Sequence, residues 1–222
     1  MKLVIGNKNY SSWSMRPWIA MKAAGIAFEE ILVPFGSPLG NEEFKQRLAA
    51  YTPAGLVPVL IDGDTQVWET LAILEYLAER FPDRRLWPAD AKARAQARVL
   101  AAEMHAGFGA LRRECPMNIR RPVRARQSLH IASMRTTFCS AAAESSRARH
   151  GGPFLFGKFC AADAMYAPVV TRLHTYGIKV NRDTLGYMEA VMALPAFAEW
   201  RAGALAESWI VAEDEIDWPT VL

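Results

Sequence analysis

Two clusters of residues in this chain carry groups that could do chemistry. The first is Tyr10-Ser11-Ser12-Trp13-Ser14-Met15-Arg16-Pro17, which sets three hydroxyls between an apolar run and the start of a helical pattern. A hydroxyl at that place can donate a hydrogen bond to a ligand thiolate, with the positive end of the helix dipole behind it. A thiol of ordinary pKa, about 8.5, is mostly protonated at neutral pH. Lowering that pKa by about one unit takes only about 1.4 kcal/mol of preferential thiolate stabilisation. The ordinary alternative is that the serines only cap the helix, with Pro17 tolerated in its first turn. No histidine lies nearby in the sequence, so a Ser-His hydrolase has no visible base here.

The second cluster runs from Val57-Pro58-Val59-Leu60-Ile61-Asp62-Gly63-Asp64 to Trp68-Glu69-Thr70. Proline lacks an N–H and holds its predecessor extended, so a strand containing Pro58 leaves the backbone groups of Val57 at an edge, open to an extended peptide. Only proline makes a cis bond cheap, and a cis Val57-Pro58 step would turn Val57 outward. Asp62-Gly63-Asp64 is a hairpin signal that returns the chain to Glu69-Thr70 at a helix start. Free N–H groups and the dipole there favour a carboxylate ligand. An edge-strand proline followed by an ordinary cap fits the same spacing.

The elements that must position these clusters change character near Pro82. Before it, a strand at 2–6, a helix at 14–24, a strand at 28–33 and a helix at 42–50 precede the second cluster, giving βαβ then ββα. After Pro82-Asp83 and a polar link to Pro88 the pattern is helical, with segments at 89–114, 123–150, 161–176, 184–193 and 195–207, bounded by Gly or Pro. The division is 1–82 as a small α/β domain, 83–88 as a linker and 89–222 as an all-α domain.

Composition narrows the class. The chain has 222 residues, 51% of them hydrophobic, enough to bury a sizeable core. A formal net charge of +3 does not imply a nucleic-acid partner. The first residues turn polar too quickly for a signal peptide, and no apolar run of about 18 residues could span a membrane, so a cytoplasmic location is expected. Cys115, Cys139 and Cys160 form neither CxxC nor a zinc-ligand spacing, so free thiols and no metal are expected.

Together these features resemble the soluble glutathione S-transferase family over nearly the whole chain. The resemblance is to its serine-using, bacterial type, with a zeta-like Ser-Ser-x-Ser-x-Arg run. It implies a thioredoxin-like N-terminal domain followed by an all-helical glutathione transferase C-terminal domain. It also implies glutathione as co-substrate, a small electrophile as second substrate, a detoxification-type transferase activity and a homodimer. Carried over residue by residue, Val57 before Pro58 pairs with the cysteinyl backbone of glutathione, and Glu69 and Thr70 bind its γ-glutamyl end. Ser11 activates the thiol, with Ser12 the close competitor and Tyr10 a weaker one; Trp13 borders the cleft. Lys45 or Arg47, on the second helix, is placed against the glycyl carboxylate, with a solvent-exposed charge as the alternative.

Phe156-Gly157-Lys158-Phe159-Cys160-Ala161-Ala162-Asp163 adds an independent match. Family members carry Ser or Thr three residues before this aspartate, forming a capping box. Cys160 stands in for the hydroxyl, and a thiol accepts weakly, so a structural role with one weakened half is expected. The zeta resemblance raises glutathione-dependent isomerisation of the maleylacetoacetate kind as the alternative activity. Two departures favour general transfer: Trp13 replaces a cysteine of the zeta run, and a substrate-binding arginine of that class falls at Thr175, with Arg172 one turn earlier. A bulky indole suits an apolar electrophile. A non-catalytic binding protein of the same fold is the third reading. The second-substrate pocket is assigned to Tyr10, His105, Phe108, Arg112, Arg113, Met117 and Asn118. The last four open the stretch 112–126, whose six arginines and two prolines lack aromatic residues for base stacking and read as a solvated helix connection.

Overall fold

The computed structural model describes residues 1–35, 41–121 and 141–215. The chain begins β1 (Lys2–Ile5), α1 (Ser12–Ala23), β2 (Glu29–Leu32), α2 (Asn41–Ala49), β3 (Val59–Asp62), β4 (Thr65–Trp68) and α3 (Thr70–Arg80). The sheet order is β2-β1-β3-β4, with β1 parallel to β2 and antiparallel to β3, and β3 antiparallel to β4. Strand alternation divides the core. Leu3, Ile5 and Leu60 face α1 and α3, among Met15, Trp18, Ile19, Ile73, Leu74 and Leu77. Val4 and Val59 point the other way, against Leu48 of α2 and Val33. The β3–β4 hairpin closes through Gly63 at φ +59°, the left-handed conformation the Asp-Gly signal calls for.

The helical part follows as α4 (Ala91–Ala106), α5 (Gly109–Glu114), α6 (Ala141–His150), α7 (Ala161–Thr175), α8 (Arg182–Met192) and α9 (Pro195–Ala206). The single helix read over 89–114 is two. The Gly107 N–H closes α4 on Glu103 O, and Phe108 takes φ +60° to restart the chain as α5. A left-handed phenylalanine is uncommon; this one is buried edge-on against Tyr166, ring centroids 5.8 Å apart. Of the helix read over 123–150, the stretch 123–140 lies outside the described residues, as does Cys139. The α7 helix is buried along nearly its whole length and packs on α1 and α4. Among the described residues no helix is long and apolar enough to cross a membrane.

The capping box at the start of α7 is built as its sequence suggests. Asp163, fully buried, accepts the Cys160 N–H at 2.9 Å and the Leu155 N–H at 3.0 Å. The reciprocal contact, from the Asp163 N–H, falls to the Cys160 sulfur. Cys160→Ser is expected to raise the unfolding free energy by up to about 1 kcal/mol; an unchanged or lower melting temperature would count against this. Burial pushes the Asp163 carboxyl up to about 6 despite its two amide bonds. The folded state therefore holds this proton more tightly than the unfolded chain. That contribution is full below about pH 4 and is lost as pH rises through about 6, by at most about 3 kcal/mol. Denaturant titrations across that range should show a flatter pH slope for Asp163→Asn than for the parent; equal slopes would remove Asp163 as the cause.

Candidate functional site

The strand register gathers one end of the sheet. Val4 pairs with Val59 and Val59 with Trp68, so Val57 lies just past the end of the ladder beside Gly6, and Glu69 begins α3 at the same end. The Val57-Pro58 peptide is cis. Val57 is partly buried against the α2 cluster and sits outside the paired segments.

From Gly6 the chain runs to the N-terminus of α1, which starts at Ser12, two residues earlier than the sequence suggests. Ser11 is the N-cap: its Oγ accepts the Ser14 N–H at 3.4 Å and lies 2.7 Å from the Ser14 Oγ. The Ser14 Oγ in turn accepts the Gly6 N–H at 3.1 Å. Ser12 is buried too. Because the helix begins at Ser12, Pro17 stands inside it rather than in its first turn, and its missing N–H leaves the Trp13 carbonyl without an i+4 donor. Thr70 supplies the substitute, donating from Oγ1 to Trp13 O at 3.1 Å. The Thr70 hydroxyl, fully buried, thus ties the start of α3 to α1.

Glu69 holds φ +78°, a conformation that costs a non-glycine residue about 1–3 kcal/mol and that clusters at functional sites. One carboxylate oxygen accepts the Leu71 N–H at 3.1 Å; the other lies 3.6 Å from His105 Nδ1. Lys45 pairs with Glu42 and Arg47 with Glu43 along the surface of α2, so the exposed-charge alternative describes both in this state.

The residues read as a second-substrate pocket divide. His105 and Arg112 flank Trp13: the imidazole ring centroid is 5.1 Å from the indole's, and the Arg112 guanidinium 5.4 Å from it. Arg112 also donates to Gly107 O at 2.7 Å, closing the end of α4. Phe108 and Met117 are core residues, 6% and 1% exposed, because the break at Gly107 turns this face of the chain inward. Arg113 is exposed to solvent. Tyr10 and Asn118 are covered by the segment after α9. Tyr10 OH donates to Glu215 Oε1 at 2.6 Å and accepts from Arg120 Nη2 at 2.9 Å. Asn118 Nδ2 reaches the same Glu215 oxygen at 2.8 Å. Burial and the Glu215 carboxylate push the Tyr10 phenol up, away from a thiol activator's range.

Arg16 was quoted in the sequence only as part of a motif, and its position is the feature that reading missed. It is fully buried. Nη1 donates to Ser12 O at 2.9 Å, Nε to Met165 O at 3.1 Å, and the guanidinium lies 4.1 Å from the Trp13 ring centroid. It forms no salt bridge among the described residues, and burial, with Arg172 and Arg112 adding to it and the Glu69 carboxylate opposing, pushes its pKa well below the ordinary value. Arg172 is buried elsewhere, donating to Cys115 O at 2.9 Å, and Thr175 is buried in the same helix. Burial pushes the Cys115 thiol up to about 12 and the Cys160 thiol well above its usual value. Both described cysteines are therefore held as neutral thiols away from nucleophilic use. A cavity of about 620 Å³ between α7 and α9, bordered by Thr171, His174, Phe197 and Arg201, includes none of Ser11, Trp13, Val57 or Glu69.

The family model for the glutathione S-transferase N-terminal domain matches residues 10–80, the segment that carries both clusters. Maleylpyruvate isomerase of a Ralstonia species is 36% identical over 99 residues, 43% of this chain and 45% of that protein. Maleylacetoacetate isomerase of Rattus norvegicus is 29% identical over 191 residues, 84% of this chain and 86% of that protein. With the first curated relatives the match spans less than half of their length. A solved maleylpyruvate isomerase, described as a bacterial glutathione S-transferase of the zeta class, superposes with a TM-score of 0.67. It is 26% identical, over 94% of this chain and all of that one. Residues 10–80, which carry both clusters, are thus similar to the glutathione S-transferase N-terminal domain, and the whole fold is similar to a zeta-class glutathione S-transferase structure.

Proposed function

We propose that this protein is an enzyme that binds glutathione at the sheet end formed by Val57, Glu69 and the start of α1, and that the bound thiolate attacks an electrophilic carbon of a small second substrate. The observation that carries the reading is the Thr70 Oγ1 to Trp13 O bond. It sets the N-termini of α1 and α3 side by side, so two helix dipoles and their free N–H groups converge on one ligand. The α3 end, with the Glu69 carboxylate, suits a zwitterionic γ-glutamyl group, and the Val57 edge suits an extended peptide. The α1 end, with Ser11, suits a thiolate. Ser11 is favoured over Ser12 because its oxygen is held by the Ser14 N–H, a fixed orientation that a preorganised donor needs.

In a conjugation assay Ser11→Ala should lower kcat about 10²-fold, the cost of removing one preorganised donor, while glutathione still binds. Ser12→Ala should stay within about threefold of the parent. The reverse order would make Ser12 the activator, and two fully active variants would end the serine mechanism.

A second reading, glutathione-dependent isomerisation of a carboxylate-bearing substrate, is supported by the charges around Trp13. The indole read as an apolar wall is flanked by Arg16, Arg112 and His105, a setting for an anion. The two named relatives carry isomerase names. In such a step the thiolate adds to a double bond, the resulting single bond rotates, and the same thiolate is expelled. Counting free thiol separates the readings: conjugation consumes it and isomerisation does not. A homodimer, implied by the family resemblance, is proposed as well and is tested by sedimentation.

A further inference from the structure

We infer that Ser14 is a positioning residue, the middle of a hydroxyl relay from the Gly6 N–H through Ser14 to Ser11 that aims the Ser11 proton at the ligand's sulfur. This rests on the glutathione reading above. The chain of contacts is short and continuous: Gly6 N to Ser14 Oγ at 3.1 Å, then Ser14 Oγ to Ser11 Oγ at 2.7 Å. Ser14 is 0% exposed and Ser11 5%, so only Ser11 could face a ligand.

Each hydroxyl has one proton, and the 2.7 Å separation suits either as donor. With no anion at hand, Ser11 donates to Ser14. When a thiolate arrives, the pair reverses. Ser14, whose oxygen already receives the Gly6 N–H, donates to Ser11. The Ser11 oxygen then accepts both the N–H and the O–H of Ser14 and is left with one use for its own proton, a bond to sulfur. A hydroxyl that accepts two hydrogen bonds is a stronger donor, by about 10–30% per bond. The thiol's own proton leaves to solvent; the relay only donates and takes no proton up. Gly6 belongs to the arrangement because it lies one residue past β1, where its N–H is outside the strand ladder.

The test measures the ionisation of bound glutathione by its ultraviolet thiolate absorbance against pH, together with kcat/KM against pH. The parent is compared with Ser14→Ala and Ser14→Cys, a variant that keeps the volume but donates poorly. Affinity for S-methylglutathione, which has no thiol proton, and the unfolding transition are recorded on the same samples. In both variants the thiolate fraction and kcat/KM at neutral pH should fall about three- to fivefold. At high pH, where the thiol ionises unaided, the parent's rate should return, and S-methylglutathione should bind as before. An unmoved ionisation curve in a folded variant overturns the relay and leaves the glutathione reading intact. A parent protein that binds neither glutathione nor S-methylglutathione overturns the reading on which the relay rests. If Ser14→Ala does not fold, the Ser14→Cys curve decides alone.

Discussion

Arg16→Met is expected to lower kcat/KM at neutral pH about 30-fold while leaving the melting temperature unchanged or higher. The guanidinium is buried and forms no salt bridge among the described residues, with only the Glu69 carboxylate favouring its charge electrostatically, and replacing a poorly compensated buried charge by an apolar side chain of similar length is often neutral or stabilising. Its hydrogen bonds go to the carbonyls of Ser12 and Met165, inside α1 and α7, so few buried groups lose their only partner. What is lost is a positive charge one bond from the Ser12 carbonyl. At an effective dielectric of about 20, a unit charge several ångströms away stabilises a thiolate by about 2 kcal/mol. An unchanged rate would reduce Arg16 to packing against Trp13. A fall of several degrees in melting temperature would make its role structural.

Arg120→Ala is expected to release the segment after α9 and to cost about 3 kcal/mol of stability. The guanidinium donates to the carbonyls of Glu207 and Trp209 and to Tyr10 OH, joining the second half of the chain to the loop behind β1. Hydrogen bonds from a charged donor contribute about 1.5–3 kcal/mol each. Three from one group fall short of their sum because they order the same segment. Glu207 keeps a second tie, its carboxylate accepting the Lys8 and Asn9 N–H groups, so detachment should begin at Trp209 and expose Tyr10. Limited proteolysis should cut the variant between 208 and 215 at protease levels the parent resists. Equal resistance and an equal unfolding midpoint would contradict this account of the segment.

Local chemistry made the sheet end readable. An Asp-Gly turn and an acid at a helix start each have one dominant backbone consequence; the proline read as inside a strand stands just before β3, and the ladder from Val59 onward leaves Val57 and Glu69 at one end of the sheet. A two-residue error in the start of α1 was enough to hide the function of Thr70. With the helix read from Ser14, Pro17 sits harmlessly in the first turn; with the helix from Ser12, it creates the unpaired Trp13 carbonyl that Thr70 must answer. The break in the long helix had Gly107 as its only local sign, and burial of Phe108 against Tyr166 decided it. Tyr10 and Glu215 are 205 residues apart, and no local pattern announces such a partner. Arg16 carried no signal either, since its surroundings, Arg112, Arg172 and the Glu69 carboxylate, are brought together only by the fold.

Calorimetric titration of glutathione into the parent protein and into Glu69→Gln tests the central claim most directly. The substitution keeps an oxygen to accept the Leu71 N–H and removes the charge proposed to meet the γ-glutamyl ammonium. The expected result is one saturable site per chain in the parent and affinity weakened about tenfold or more in Glu69→Gln, as for loss of one charge-assisted bond. No saturable heat in the parent, or equal affinity in the two proteins, would contradict a glutathione site at this end of the sheet.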